Sequence, residues 1–469
     1  MKLPVTTKLG YSVAAMGGGL CYVLFYSYFI FFLTNFAGVN PALAGSISLI
    51  VVIWDAVTDP VIGYLSDRVR SSSGRRRPFI LYGIIPWIAS VALMFVTVQL
   101  GEVGKFVFYL LIALVFWTAY TIVMVPYNAL GAELTENYSE RASLRLFAQF
   151  FSSGGTMLGS SFTLLLVEFF AGKFGVEPRQ AWFYVAVSFA LVSGLALFIT
   201  WASMNGKDKP APAETIGEPQ PLSSIFVGYW ELVRDVKPLK WMLLSIATFM
   251  CGNSLYGSGI VYAFNDLLGY TPAQVATVSM LLAIIGLVGP FVLNILIRLT
   301  DKKNILTVCL AVSTVSLLAF RFIGIYNTAT LYVYLAFYAI SNLSFWGLFW
   351  SFVYDCCEVD FLVTGKIRQG SMTSIASMIQ KFGSAISMWM IGMILAAGGY
   401  NGMASQQTEG ALKAILNLLT VYPGILTALS LVFLLLFPIN AGVFAKLQKA
   451  IADKNATGKF SSEGLNKIL

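Results

Sequence analysis

Long apolar runs separated by short polar stretches make up most of the chain. A helix crossing about 30 Å of hydrocarbon needs about 20 consecutive apolar residues. Twelve such runs occur, at 11–37, 43–66, 79–100, 105–131, 145–170, 181–203, 239–264, 273–297, 304–324, 329–352, 371–397 and 415–440. They predict an all-α membrane protein with twelve transmembrane helices. The first run follows Lys2 and Lys8, is too long for a signal-peptide core and lacks a clear small-residue cleavage site, so it reads as a retained helix. A single long polar interruption, 204–238, opens NGKDKPAPAETIGEPQPL, the composition of a flexible connector. Its end, SSIFVGYWELVRDV, has the spacing of a short amphipathic helix lying on the membrane surface. The expected organisation is therefore a six-helix bundle over 1–203, a cytoplasmic connector over 204–238, a second six-helix bundle over 239–440 and a polar tail over 441–469.

Composition agrees with the pattern and removes whole classes of chemistry. The chain is 58% hydrophobic and 11% charged, where a soluble domain carries about 25% charged residues. It contains no histidine, which excludes His-ligated zinc, Ser-His-Asp and Cys-His nucleophiles and imidazole proton shuttles. The five cysteines show no CxxC spacing and read as small buried hydrophobes, with no metal framework. Twenty-four of the 30 Lys and Arg residues fall in the termini and the even-numbered inter-span loops, against four on the other side. By the positive-inside rule both termini are cytoplasmic. The same bias accounts for the net charge of +8 with no nucleic-acid partner.

Two acidic residues lie in the middle of a span, Asp55 and Asp59 in SLIVVIWDAVTDPVIGYL. A carboxylate at mid-membrane costs about 3 kcal/mol on insertion scales and marks a functional site by default. Their i,i+4 spacing places both on one helical face. Thr58 adds a hydroxyl, and Pro60, lacking an N–H, releases the carbonyl of Ala56. Carboxylates with neutral oxygens suit a small hard cation, Na⁺, H⁺ or Li⁺, rather than a soft metal. The competing reading pairs them with Lys381, which lies about ten residues into the eleventh span. An aspartyl-enzyme reading fails because side chains one turn apart on one helix cannot flank a scissile bond. Aromatic and amide groups in the spans suit a hydroxylated solute. Residues alone thus point to a cation-coupled solute carrier, with no cofactor and no metal beyond the coupling cation.

Several stretches resemble the melibiose-permease-like glycoside–pentoside–hexuronide:cation symporters of the major facilitator superfamily. They are TTKLGY with YVLFYSYFIFFLTNFAGV, WDAVTDPVIGYLSDRVRSSSGRRRPFIL with its D-A-x-x-D-P element, AYTIVMVPYNAL, and SFVYDCCEVDFLVTGKIRQGSMTSIASMIQKFGSA. The resemblance implies the major facilitator fold and alternating access between two six-helix bundles. It implies a cation site at Asp55, Thr58, Asp59 and Thr121, with Lys381 as nearby counter-charge. It also places Tyr26, Tyr120, Asn128, Gln149 and Trp346 at the substrate cleft, and Gly63, Asp67, Arg68 and Arg75 in a cytoplasmic gating motif. Asp355, Glu358 and Arg368 would form the corresponding latch.

The chain also departs from that pattern. The two aspartates that hold sugar hydroxyls in galactoside-transporting members are replaced by Gly19 and Met124, the arginine of the fifth span by Gln149, and a tryptophan by Asn128. Gly17-Gly18-Gly19 are expected to widen the cleft. The expectation is a Na⁺- or H⁺-coupled symporter of a sugar or glycoside, working as a monomer in a lipid bilayer. The alternative is a facilitator or exporter of a non-sugar solute on the same fold.

Overall fold

The computed structural model describes residues 3–69, 71, 74–135, 138–208, 223–365, 368–404, 406–457 and 461–468. Among these residues the chain is helical throughout, with fourteen helices. They are α1 (Val5–Asn35), α2 (Pro41–Arg68), α3 (Arg77–Met94), α4 (Glu102–Glu133), α5 (Tyr138–Phe174), α6 (Pro178–Ser203) and α7 (Ser223–Asp235). Then follow α8 (Leu239–Tyr262, continued by a π turn at Ala263–Leu267), α9 (Pro272–Leu299), α10 (Lys302–Ile323), α11 (Thr328–Thr364), α12 (Gln369–Ala397), α13 (Glu409–Leu436) and α14 (Ala441–Thr457).

A helix lies at each place where an apolar run predicts one. Ten are long and apolar enough to cross a membrane among the described residues. α8 is not among them, because Gly252-Asn253-Ser254 and Tyr256-Gly257-Ser258 dilute its apolar character. α9 qualifies only as a shorter apolar helix, Pro272–Gly286. α5 and α11 reach 37 residues each, well past their apolar runs. Helical hydrogen bonding does not stop at the hydrocarbon boundary, so hydropathy alone under-reads such ends. Local chemistry sets the termini: the Asn40 side chain accepts from Ala42 N at 2.9 Å ahead of Pro41 at the first turn of α2. Asn327 and Thr330 form a reciprocal capping box on α11, which Gly365 ends at φ 70°.

The chain divides into two compact units, 1–219 with 257–283 and 388–412, and 220–256 with 284–387 and 413–469. Without a hydrophobic drive between helices in lipid, packing must come from close backbone approach. In the first unit a side-chain carbon added at Gly155 would stand 2.0 Å from the Met16 carbonyl oxygen, and one at Gly19 2.4 Å from that of Ser152. α1 and α5 therefore cross at glycine contacts that no other residue fits. Above this crossing an aromatic core buries Phe29, Phe32, Phe95 and Trp182, with Trp182 stacked on Phe95 at 5.7 Å. In the second unit Phe249 stacks on Phe345 at 3.8 Å, and the Tyr334 hydroxyl donates to the Leu419 carbonyl at 2.7 Å. There α7 presents Tyr229 and Leu232 to the core and leaves Val227 and Trp230 exposed, the two-faced character expected of a surface helix.

Candidate functional site

In the first unit, α2 carries Asp55 and Asp59 one turn apart, but their surroundings differ. Asp55 is fully buried, while Asp59 and Thr58 are half-buried. The Thr121 hydroxyl on α4 donates to Asp55 Oδ1 at 2.8 Å. The Thr58 hydroxyl donates to the Asp55 backbone carbonyl at 3.2 Å. In donating, each hydroxyl keeps its oxygen lone pairs for another partner. Two carboxylates and two hydroxyl oxygens thus come from α2 and α4, a donor set suited to a hard monovalent cation or a proton. Among the described residues no group of three or more His, Cys, Asp or Glu converges as a divalent-metal cluster would require.

One face of α1 and one face of α4 line this region with aromatic rings. On α1 the positions Gly18, Tyr22 and Tyr26 recur every four residues; on α4 Trp117, Tyr120, Thr121 and Met124 follow the i, i+3, i+4, i+7 pattern of a single stripe. Ring centroids lie 4.2 Å apart for Tyr22–Tyr26, 5.9 Å for Tyr26–Trp117, 5.0 Å for Trp117–Tyr120 and 5.1 Å for Tyr120 stacked on Trp87. Tyr26 and Tyr120 lie near Asp55. Tyr22 and Trp87 are missing from the residues that the sequence pointed to. Tyr22 could have been found from its four-residue spacing to Tyr26; Trp87 sits in a uniformly apolar run that gives no signal.

The remaining cleft candidates are placed differently. Asn128 and Gln149 are exposed, and Gln149 Nε2 donates to Ser153 at 3.4 Å on its own helix. Trp346 and Lys381 belong to the second unit, where Trp346 meets Phe349 edge-on at 5.6 Å. In that unit the Asn253 side-chain oxygen accepts from both Tyr338 and Asn342, and Tyr256 stacks on Tyr338 at 3.5 Å.

The triple glycine does not act as one cleft-widening element. Gly17 abuts the Ser193 backbone and Gly19 that of Ser152, so both serve close helix packing. Only Gly18 faces the lined region, where an added carbon would stand 2.9 Å from the Met124 methyl and 3.8 Å from the Tyr120 hydroxyl. A carboxylate at position 19 would collide with α5.

Of the gating residues, the side chains of Asp67 and Arg68 lie outside the described residues. Gly63 borders Val125, with space for a side-chain carbon. Arg75 pairs with Glu133, and Arg76 joins it at 2.9 Å while donating to Ser66 at 2.6 Å. Asp208 accepts from the backbone N–H groups of Arg76 and Arg77 at 2.7 and 2.9 Å. The arginine cluster therefore clamps α2, the end of α4 and the end of α6 together; Glu133 and Asp208 are the partners that its sequence spacing does not reveal.

In the second unit the expected latch of Asp355, Glu358 and Arg368 resolves into separate pairs. Asp355 pairs with Lys302 at 2.7 Å, whereas Arg368 binds Asp360, with one contact at 3.1 Å, and Asp235 of α7, also at 3.1 Å. Arg368 follows α11 by only a few residues and so folds back on Asp360, two residues beyond Glu358. Burial pushes the Asp235 carboxyl up, but Arg368 and Arg234 outweigh it and hold it below the usual range. This tie to α7 is intact at neutral pH and is lost as pH falls through that lowered value. Asp360 is 1% exposed, so Arg368→Gln leaves a buried carboxylate short of its partner and is expected to cost about 2–3 kcal/mol. Adding Asp360→Asn should restore much of the loss; thermal unfolding of the single and double variants measures both.

The chain resembles known transporters over nearly its whole length. It is 27% identical to an uncharacterized symporter of Synechocystis sp., over 96% of this chain and 97% of that one. It is 25% identical to a putative glycoside/cation symporter of Escherichia coli, over 98% and 97% respectively. The crystal structure of a D-xylose–proton symporter superposes with a TM-score of 0.65 at 14% identity, covering 92% of this chain and 97% of that one, and shows the major facilitator fold. A family model described as MFS/sugar transport protein matches residues 10–441. The protein is therefore a membrane-spanning transporter and not an enzyme, and it belongs to the MFS/sugar transport family.

Proposed function

We propose that this protein is a cation-coupled symporter of a sugar or glycoside, driven by Na⁺ or H⁺ and working by alternating access. The observation that carries the reading is the fully buried Asp55, hydrogen-bonded by Thr121 and flanked by Thr58 and Asp59, beside the aromatic stripes of α1 and α4. A bound cation offsets the cost of the buried charge and favours the conformation that takes up solute, which couples the two gradients. Aromatic faces stack on the apolar faces of pyranose rings. The glycoside/cation naming of one relative supports the same solute class. In this proposal twelve helices span the membrane as two bundles, 1–203 and 239–440, joined by the connector, with both termini cytoplasmic in a bacterial inner membrane and the monomer as the working unit. Lys381 supplies the counter-charge when the cation leaves, Trp346 adds a stacking face to the substrate cleft, and the Arg75–Arg76–Glu133 and Arg368–Asp360 clusters serve as cytoplasmic gates.

The test is uptake into proteoliposomes across a glycoside panel, with Na⁺, Li⁺ and pH gradients imposed separately. Accumulation of one glycoside class under one cation gradient is the expected result. Absence of counterflow with every glycoside overturns the sugar assignment.

A further inference from the structure

The first unit contains a cavity of about 440 Å³ that shares no residue with the Asp55 region. That volume lies in the range of small-molecule sites. Phe36, at the end of α1, Trp182 of α6, and Phe264 and Tyr270, which flank the turn between α8 and α9, line it with rings. Phe264 and Tyr270 stack nearly parallel, with centroids 5.9 Å apart and planes 9° from parallel.

Among the lining residues Glu168 of α5 alone carries a charge. Among the described residues it forms no ion pair with a lysine or arginine. Asn265 adds an amide, and its side-chain nitrogen already donates to Asp266 at 3.0 Å, which leaves its oxygen to accept. The Trp182 residue is 1% exposed and its indole N–H has no partner among the described residues. The walls therefore combine aromatic faces, one negative charge and few hydrogen-bonding groups. A sugar would leave most of its hydroxyls unpaired here and pay their desolvation. A phosphate or carboxylate ligand would meet Glu168 as a like charge. An organic cation is satisfied by both features: the ring faces attract positive charge, and the carboxylate neutralises it.

We propose that this cavity is a binding site for a small organic cation of the alkyl- or arylammonium class, held by Glu168 and the surrounding rings. The ammonium group sits against Glu168, and the apolar substituents lie on Trp182, Phe264 and Tyr270.

Benzyltrimethylammonium is a suitable probe, because its charge does not depend on pH. Its binding to the purified full-length carrier is measured by calorimetry. The expected result is saturable binding that weakens about tenfold in Glu168→Gln and about threefold in Tyr270→Leu, a change that keeps apolar volume and removes the ring. Binding should be unaltered in Asp55→Asn and should not compete with glycoside. Glu168 is exposed, so Glu168→Gln is expected to fold, and an unchanged melting temperature checks this. Absence of saturable binding overturns the proposal, as does equal affinity in Glu168→Gln. Loss of binding in Asp55→Asn, or displacement by glycoside, also overturns it, because the probe would then occupy the transport cleft. Binding is read without transport, so the result does not depend on whether the symport assignment holds.

Discussion

Asp55→Asn is expected to abolish ion-driven accumulation while leaving downhill exchange of solute measurable. Asparagine keeps the side-chain volume and can still accept from Thr121 through its oxygen, so the local packing of α2 on α4 survives. The negative charge disappears. A cation held largely by that charge should bind at least about 100-fold more weakly, a loss of about 2.7 kcal/mol. Coupling is a difference in free energy between the cation-bound and cation-free carrier, so it vanishes with cation affinity. Steady-state accumulation under an imposed gradient should fall to the equilibrium ratio, whereas counterflow in the absence of a gradient persists. Thr121→Ala removes one of the neutral oxygens offered to the cation and should raise the cation concentration needed for half-maximal uptake by about tenfold, a loss of about 1.4 kcal/mol. Normal accumulation by Asp55→Asn would overturn the assignment of this residue to coupling.

Gly155→Leu is expected to prevent assembly of the first unit. A side-chain carbon there would lie 2.0 Å from the Met16 carbonyl oxygen and 3.0 Å from the Leu20 backbone nitrogen. Both contacts are backbone, so no rotamer change relieves them, and α1 and α5 would have to separate. Separation also releases the Gly19–Ser152 approach one turn along the same crossing. Overpacking usually costs about 1–3 kcal/mol, and a clash between two helix backbones belongs above that range. Thermal unfolding and size-exclusion profiles in detergent read the effect. The neighbouring Gly154 provides the control, since a side-chain carbon there meets nothing within 4 Å. Gly154→Leu should be no less stable than wild type, since leucine is also the better helix former; equal damage from both substitutions would mean that the crossing at Gly155 does not govern the region.

These two residues show which features the one-dimensional pattern carries. Asp55 could be found without a structure, because a carboxylate in an apolar run is energetically anomalous and needs a compensating role. Thr121 could not be found from its own spacing; a threonine in a span is ordinary, and only family resemblance singled it out. Gly155 looked like one of many small residues. Its constraint arises from the path of α1, more than a hundred residues away in the chain. The gating clusters divide in the same way. Arg75–Arg77 stood out as a charge run, but their partners Glu133 and Asp208 come from the ends of two other helices. Family resemblance groups Asp355, Glu358 and Arg368 as one latch, and geometry pairs the arginine with Asp360 and Asp235 instead.

The succession of apolar runs was enough to establish a helical membrane protein, because each helix satisfies its own backbone within lipid and must be apolar to do so. The scarcity of charge was enough to expose Asp55 and Asp59. Which glycines face a neighbouring backbone and which face the solute path depends on helix crossings, and so do the partners of each arginine and the cavity around Glu168. Hydropathy is a property of one segment and can be read along the chain. A crossing is a relation between two segments, settled only when both have packed.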